Sequence, residues 1–480
     1  MKAKKIPPLD LMFYLTETPQ SPKHVGAVQI FKIPAKAPKT FMRDLVAAIK
    51  AAPVEAPFNY RPYFPRVGYP EWHVDDKLDI DYHVRHSALP QPGTDEVLVQ
   101  VLQRLHSGLL NRDRPGWLCQ VIEGLEGGRF AIYSKVHHAY IDGMSGVKRM
   151  YGSMSSDPKE MKIIPSFSHV AVKRPASERK SKVKKRVVKA DQALLAQARA
   201  MGELYKSFTT RGLEFFKTHE GGAQRMFHAP RTPMNDRVEY DTRSIGLCTL
   251  PLDKIRAVAD KFDAKVNDVV LAVVDSALHD YLEAQGENTR TPLVALCPMS
   301  IREEGDDSAT TQATALHVRM GEPDATVKQR LQQIVDSSRA SKDQARTMSS
   351  TALMNLAVIM IASLEMVDRT GLGRLLSPSY NVLVSNVPGP SEDVLYMRGA
   401  RHLASYPISA FLPGGNLNVT VLSHGNNLDF GLVADKQTMP DIQYVVERME
   451  KRFAELAKGV SVTKKPAARV KARKTRKKSS

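Results

Sequence analysis

The spacing of apolar residues predicts a mixed α/β chain. Runs rich in β-branched and aromatic residues indicate strands, and they recur in both halves of the sequence. Strands are predicted over residues 24–33, 129–136, 242–252, 292–302 and 381–390, with a hairpin over 416–435 that turns at Gly425–Asn427. Apolar residues three or four positions apart indicate helices over 95–110, 190–208, 264–282 and 441–458.

Three of these elements, and one further apolar window, carry more detailed expectations. Val97, Val101, Leu105 and Leu109 should form the apolar face of the first long helix. The pair Asn267-Asp268 is expected to cap the helix that follows it, and the strand over 292–302 is expected to leave its sheet at Pro298. The apolar window 352–367 is too short to span a bilayer, which needs about 20 residues, so a buried core helix is predicted, with an interfacial helix as the alternative.

The length of 480 residues predicts two domains rather than one core. We place an N-terminal α/β part at 1–165, a basic connector with a helix at 166–238, a second α/β part at 239–460 and a basic disordered tail at 461–480. Two such parts leave a cleft between them, where a ligand site is expected.

Nearly all of the net charge of +18 lies in two short segments. Residues 173–189 hold nine Lys/Arg and one acid, and residues 464–478 hold nine Lys/Arg and none. Such runs are typical of solvated, disordered segments. They could instead bind an anionic surface, either lipid or nucleic acid, although the tail lacks the interleaved aromatic residues of single-strand binders.

The three cysteines, Cys119, Cys248 and Cys297, are far apart in the sequence and show neither a disulfide framework nor metal-ligand spacing. This usage is typical of the reducing cytoplasm. The N-terminus is basic but has no apolar run of signal-peptide length, so no targeting segment is predicted.

The candidate chemistry lies in KVHHAYIDGMSG, residues 135–146. A histidine suits proton transfer at neutral pH. Neighbouring strand residues point in opposite directions, so His137 and His138 should not both face one substrate. Asp142 is close enough to brace the loop, and Gly143 is expected to let the backbone pass where a side chain would block it. A metal site lacks further ligands, and a hydrolytic triad lacks a G-x-S-x-G elbow; a purely structural pair stays open beside general-base catalysis.

HHAYIDG resembles the HHxxxDG signature of the coenzyme A-dependent acyltransferase superfamily, which includes chloramphenicol acetyltransferase and peptide-synthetase condensation domains. More closely, the chain resembles bacterial wax ester synthase/diacylglycerol acyltransferases. The similarity rests on six blocks in order: PPLDLMFYLTET…PKHVGAVQIF, LDIDYHVRHSALPQPG, HHAYIDG, VNDVVLAVV, PMSIR and SNVPGP. Two blocks depart from the family: Pro115-Gly116-Trp117 replaces Pro-Leu-Trp, and residues 310–320 lack a Gly-Asn pair.

The resemblance implies an α/β (α+β) fold of two chloramphenicol-acetyltransferase-like subdomains, with mixed sheets flanked by helices and the active site in a tunnel between them. It also implies transfer from acyl-CoA, a co-substrate, to a long-chain alcohol or diacylglycerol, without a cofactor or metal. His138 would be the general base, and His137 and Asp142 would be structural. Asp142 would face Arg302.

The resemblance implies supporting roles for further residues. Asn267 and Asp268 would either cap their helix or order the alcohol or oxyanion. Ser300 would donate to the oxyanion. Trp117 belongs to a block that shapes the substrate pocket, and Asn386 to the SNVPGP turn that would close the tunnel.

Such substrates reside in membranes or oil droplets. We therefore expect a cytoplasmic enzyme that associates peripherally with the inner membrane or lipid inclusions through its basic segments, and nucleic acid becomes the less favoured partner. Two alternatives remain: a condensation-type enzyme that takes acyl groups from a carrier protein, and a non-enzymatic protein that binds a lipid surface or nucleic acid.

Overall fold

The computed structural model describes residues 4–168, 227–287, 290–300 and 313–461, apart from residues 347, 349, 372, 374, 392 and 393. Both basic segments, the helix predicted over 190–208, and Arg302 lie outside these residues. The described α-helices are α1 (Pro8–Thr16), α2 (Phe41–Lys50), α3 (Ile80–His83), α4 (Asp95–Ser107), α5 (Gly143–Gly152), α6 (Leu252–Lys261), α7 (Val266–Ala284), α8 (Val327–Arg346), α9 (Ser350–Thr370) and α10 (Ile442–Ala457).

The described strands are short to medium in length and belong to three sheets. They are β1 (Lys4–Lys5), β2 (His24–Lys32), β3 (Tyr60–Tyr63), β4 (Glu71–Val74), β5 (Val84–Ala88), β6 (Trp117–Leu125), β7 (Arg129–His137), β8 (Arg243–Pro251), β9 (Val294–Ser300), β10 (Ala313–Arg319), β11 (Val382–Val387), β12 (Tyr396–Met397), β13 (Ala400–Ile408), β14 (Leu417–His424) and β15 (Asn427–Asp435).

The first large sheet has the strand order β12-β13-β2-β7-β6-β5. β2 and β7 pair antiparallel so that His24 lies opposite His137, at the end of the sheet where the double histidine begins. A cluster of buried aliphatic and aromatic side chains covers one face, and α2 contributes Phe41, Leu45 and Ile49 to it. The sheet therefore holds His137 at a rigid strand end.

The second large sheet has the order β10-β9-β11-β14-β15-β8 and mixes parallel and antiparallel pairs. β11 runs parallel to both β9 and β14, whereas β14 and β15 form the predicted hairpin. α7 and α10 supply buried residues to the largest core cluster, which covers this sheet. A third sheet, β1-β4-β3, is small. The predicted mixed α/β fold is thus confirmed.

One strand, β13, joins the two large sheets; because it lies in the first sheet but comes from the second half of the chain, we call it the exchanged strand. β13 lies late in the chain, yet it pairs with β2 of the first sheet, from Arg401↔Lys32 to Ile408↔Gly26. The same strand crosses β15 of the second sheet at Gly431, where a Cβ atom would overlap the carbonyl of Pro407. Only glycine allows this close approach of two backbones.

Two detailed expectations are corrected. α7 begins after Lys265, and Asp268 reaches back from the first turn to accept the Lys265 N–H at 2.9 Å, so Asn267-Asp268 is not the N-cap. β9 continues through Pro298 to Ser300, where Pro298 pairs with Ala315 of β10. This is tolerated because the pairing with β11 on the other side is confined to Ala295 and Leu296, so the missing N–H falls outside it.

The faces of two helices also differ from the expectation. In α4 the fully buried row is Leu98, Leu102 and His106; Val97, Val101 and Leu105 flank it, and Leu109 is 40% exposed. The window 352–367 lies in α9, which buries one side and exposes another at Ile361 and Met366, so it is not an all-round core helix. Within the described chain, no helix combines the length and apolar character needed to cross a membrane.

Candidate active site

His137 is fixed on all sides by packing. Its ring stacks on Tyr14 of α1, with centroids 4.0 Å apart and planes 10° apart. Nδ1 accepts the Ala139 N–H at 3.2 Å, which leaves Nε2 to carry the ring proton 3.5 Å from a Glu17 oxygen. Burial is the main cause that lowers the His137 pKa to about 3, so the ring is neutral at pH 7. This arrangement suits a residue that fixes the loop.

His138 has a different environment. Its N–H donates to the Lys23 carbonyl at 2.7 Å, and its ring stacks on Phe13 with centroids 4.6 Å apart. Burial lowers the His138 pKa below its ordinary value, a hydrogen bond to its own backbone and the nearby Asp142 carboxylate raise it, and Lys23 lowers it. A neutral imidazole with one nitrogen donating to the backbone has its other nitrogen available to accept a proton.

Asp142 begins the helix that follows the histidines. Its backbone is extended, and its Oδ1 accepts the Ser145 N–H at 2.8 Å, as an N-cap does. Gly143 is the first residue of α5, and a Cβ added there would meet no atom within 4 Å. The expectation that a side chain at Gly143 would block the backbone is therefore wrong; the space beside it is open.

Replacing Asp142 by alanine is expected to destabilise α5 by about 1 kcal/mol, since the N-cap acceptor is lost. Asp142→Asn keeps an oxygen that can accept the Ser145 N–H, so its denaturation midpoint should stay close to that of the wild type. Chemical denaturation of both variants measures this. Equal stability of the two variants would exclude a capping role.

A buried polar network surrounds the double histidine. The Glu17 side chain is 1% exposed; one oxygen accepts the Lys23 N–H at 3.2 Å, and the other accepts Arg112 Nη2 at 3.2 Å. Lys23 Nζ in turn lies 3.2 Å from Glu365 of α9. The network thus ties α1, which covers both histidine rings, to α9 in the second half of the chain. Sequence reasoning missed it, because its members lie up to several hundred residues apart.

The unusual Gly116 has a structural explanation. Its carbonyl accepts the His137 N–H at 2.8 Å. A Cβ at this position would lie 2.8 Å from the Tyr140 ring and 3.1 Å from His137 Cβ, so a leucine here would collide with both. The neighbouring Trp117 is buried, donates to the Phe58 carbonyl at 2.7 Å and stacks on His83. Gly116 therefore leaves free the space that the Tyr140 ring occupies.

The other predicted site residues lie on the second sheet and its helices. Asp268 is buried at the start of α7 and binds its own helix, and Asn267 beside it is half-buried. Asn386 lies half-buried on β11, whose Val387 packs with α5 residues. Ser300 ends β9, but its side chain is outside the described residues, as is Arg302. Among the described residues no cluster could hold a metal ion, and the three cysteines are buried thiols.

An apolar cavity lies along α9. Its lining includes Leu353, Leu356, Ala357 and Met360 of α9, with His317 of β10 among its few polar groups. From Met360 the helix rises about 7.5 Å to Glu365, which contacts Lys23 beside His138. Burial lowers the His317 pKa to about 4, so this group is neutral at pH 7. No charged side chain of the described chain lines this cavity, and the cavity lies on the helix whose Glu365 contacts Lys23 beside His138.

Comparison with known proteins shows which family has this arrangement. The family model of the wax ester synthase/diacylglycerol acyltransferase catalytic domain matches residues 6–270, and that of the WS/DGAT C-terminal domain matches residues 311–457. A putative diacylglycerol O-acyltransferase of Mycobacterium tuberculosis is 35% identical over 465 residues, covering 95% of this chain and 100% of the relative. An O-acyltransferase of Acinetobacter baylyi is 34% identical over 462 residues, covering 94% and 96%.

Two solved structures superpose on most of this chain. The wax ester synthase/diacylglycerol acyltransferase from Marinobacter aquaeolei VT8 superposes with a TM-score of 0.76 at 29% identity, covering 94% of this chain and 98% of that one. The first condensation domain of the CDA synthetase shares the fold, with a TM-score of 0.55 at 17% identity over 96% and 98% of the two chains.

The fold and the HHAYIDG loop at the end of β7 are those of an acyltransferase. Within that class, the chain belongs to the wax ester synthase/diacylglycerol acyltransferase family. The resemblance seen in the sequence is thereby confirmed.

Proposed function

We propose that this acyltransferase moves the acyl group of a long-chain acyl-CoA onto the hydroxyl of a fatty alcohol or diacylglycerol, with His138 as the general base. The observation that carries the proposal is the contrast between the two histidines. His137 is buried and locked by Tyr14 and a neighbouring N–H, whereas His138 is a half-buried neutral imidazole in the loop that leads to the open position Gly143.

The proposed reaction needs one proton transfer out and one back. His138 takes the proton from the alcohol hydroxyl while the alcohol oxygen attacks the thioester carbonyl. The tetrahedral intermediate collapses, the carbon–sulfur bond breaks, and the CoA thiolate receives the proton from His138. The apolar cavity on α9 offers acyl or alkyl carbons a lining without charged groups, as apolar ligands require.

The test is thiol release from palmitoyl-CoA, measured with and without hexadecanol, and with diacylglycerol as a second acceptor. Alcohol-dependent release together with ester formation supports the proposal. Transfer only from an acylated carrier protein would instead favour a condensation-type enzyme. Absence of transfer from either donor would favour a non-enzymatic lipid-binding protein.

The pH dependence of the rate should report the lowered pKa of His138. A general base works only when unprotonated, and its ordinary pKa is about 6.5. Since burial lowers that of His138, kcat/KM should stay level as the pH falls through about 6.5 and decline only at lower pH. A profile of kcat/KM against pH measures this. A half-maximal point at or above the ordinary histidine pKa would contradict the assignment.

We propose further that the enzyme acts at the surface of the inner membrane or of lipid inclusions, because both candidate acceptors are lipids. Its two basic segments, 173–189 and 464–478, could contribute about 1 kcal/mol per basic residue near an anionic lipid surface. Co-sedimentation with vesicles after their removal tests this contribution.

A further inference from the structure

The exposed apolar side chains of the described chain are concentrated on three segments. Thirteen large apolar or aromatic side chains are exposed, and ten of them lie within residues 12–15, 63–69 and 361–376. The ten are Met12, Leu15, Tyr63, Phe64, Val67, Tyr69, Ile361, Met366, Leu375 and Leu376. Single exposed apolar residues are normal, whereas such a concentration marks an interaction surface.

The three segments adjoin one another. Phe64, in the loop between β3 and β4, meets Tyr14 of α1 edge-on with ring centroids 5.6 Å apart. One residue further along α1, the Leu15 carbonyl accepts a hydrogen bond from Arg369 Nη2 of α9 at 3.2 Å. We call the exposed apolar side chains of residues 12–15, 63–69 and 361–376 the apolar rim. It is one surface built from both halves of the chain.

The apolar rim lies directly over the double histidine. α1 is its middle element, and its side chains divide between two sides. Met12 and Leu15 are exposed, whereas Phe13 and Tyr14 stack on His138 and His137. Anything that binds the rim therefore lies one helix away from the proposed base.

The β3–β4 side of the rim is mainly basic, although Glu71 follows it and Asp10 and Asp368 lie on α1 and α9. The segment 60–70, YRPYFPRVGYP, contains Arg61 and Arg66 and no acid. β1 adds Lys4 and Lys5 next to it, and Lys5 Nζ lies 5.7 Å from the centre of the Tyr69 ring. Exposed tyrosines, aliphatic tips and lysines or arginines together are typical of surfaces that sit at the membrane–water interface.

We propose that the apolar rim is the face by which the enzyme docks on a lipid surface with anionic headgroups. Val67, 93% exposed at the tip of the β3–β4 loop, enters the headgroup region together with Leu15 and Met366. Arg61 and Arg66 bind the phosphates. α1, which covers the double histidine with Phe13 and Tyr14, then lies against the phase in which long-chain substrates dissolve. This docking rests on the proposed function only in that the substrates are lipids.

The first test is co-sedimentation of the full-length protein with vesicles of phosphatidylcholine and phosphatidylglycerol in equal parts. The rim variant carries Leu15→Ser, Val67→Ser and Met366→Ser, one change in each segment. The matched control carries Leu109→Ser, Met161→Ser and Tyr240→Ser, the three large exposed apolar side chains outside the rim in the part of the chain that the structure describes. We expect about 100-fold weaker partitioning for the rim variant, since each lost apolar contact is worth about fivefold, and little change for the control.

The second test addresses charge. Arg61→Gln with Arg66→Gln should weaken binding to the same vesicles by about 10- to 30-fold, and high salt should remove the difference. Lys36→Gln with Lys39→Gln is the control, because these exposed lysines follow the far end of β2, about 26 Å along the strand from His24. Equal loss in both pairs would mean that net charge alone, not the rim, directs binding.

A third measurement does not depend on how well the triple variant folds. A fluorophore sensitive to polarity, attached at Val67→Cys, should shift to the blue when vesicles are added, whereas the same label at Met161→Cys should not. The native cysteines are buried and would not compete for the label. No shift at Val67, or equal binding of the rim and control variants, overturns the docking proposal.

The docking and the proposed function can fail separately. Transfer from octanoyl-CoA to a water-soluble alcohol, without vesicles, tests the chemistry alone and should be equal in the rim variant and the wild type. Absence of transfer from both octanoyl-CoA and palmitoyl-CoA in the wild type contradicts the proposed function, whatever the vesicles show. If light scattering shows that the rim variant is a monomer and the wild type a dimer, the rim is a contact between two copies of the chain and the lipid assignment is wrong.

Discussion

Replacing His138 by alanine is expected to lower kcat/KM for acyl transfer by about 10²–10⁴-fold, the usual contribution of a general base. The fold should survive, because the backbone bond from the His138 N–H to the Lys23 carbonyl does not depend on the side chain. Alcohol-dependent release of CoA thiol, followed with a thiol reagent, measures the loss. Circular dichroism shows that the variant is folded.

The neighbouring histidine supplies the control. His137→Asn keeps a polar side chain at a position where Tyr14 stacks and Glu17 lies close. It should cost stability but less activity than His138→Ala. The opposite order, an inactive His137→Asn and an active His138→Ala, would exchange the roles of the two residues and overturn the proposed mechanism.

The largest expected effect on stability comes from Arg330→Met on α8. Its guanidinium Nη1 lies 2.8 Å from Asp275 of α7, whose side chain is fully buried, and the same carboxylate accepts the Gly321 N–H at 3.1 Å. Removing the arginine leaves a buried carboxylate without its cation, which typically costs about 3–5 kcal/mol. Urea denaturation of the variant should show a correspondingly lower midpoint.

The same helix offers a matched control. Arg339 pairs with Asp263 at 2.7 Å, but both side chains are largely exposed. Arg339→Met should therefore change the free energy of unfolding by about 0–1 kcal/mol. If the two variants are equally stable, burial does not set the strength of the Arg330–Asp275 pair.

Much of the fold could be predicted because local sequence patterns indicate many of its helices and strands. The strand that ends at His137, the hairpin 416–435 and the helix after Asp441 all show a clear period or turn. The family could also be recognised, since six blocks occur in order and the matching family domains confirm it. Local patterns fail where a neighbouring strand determines the structure. Pro298 stays in β9 because β11 does not pair with β9 at that position.

The surroundings of the candidate site could not be predicted in the same way. In the sequence, the stretch PPLDLMFYLT shows only a short apolar run. In the structure it forms α1, which covers both histidines with Phe13 and Tyr14. The contact between Lys23 and Glu365 joins residues 342 positions apart, and no periodicity encodes such a pair. Gly116 could be noticed as unusual, but its reason, the Tyr140 ring, is visible only in three dimensions.

The exchanged strand β13 has a consequence for how the protein is made. During synthesis β2 emerges early, but its partner on one side, residues 400–408, emerges only after most of the chain has been translated. Until then β2 has an open edge, the kind of surface that pairs with other chains. The sheet that holds His137 therefore reaches its final form late. A nascent or truncated chain that stops near residue 270, where the matched catalytic domain ends, would keep this edge unpaired and would depend on chaperones to stay in solution.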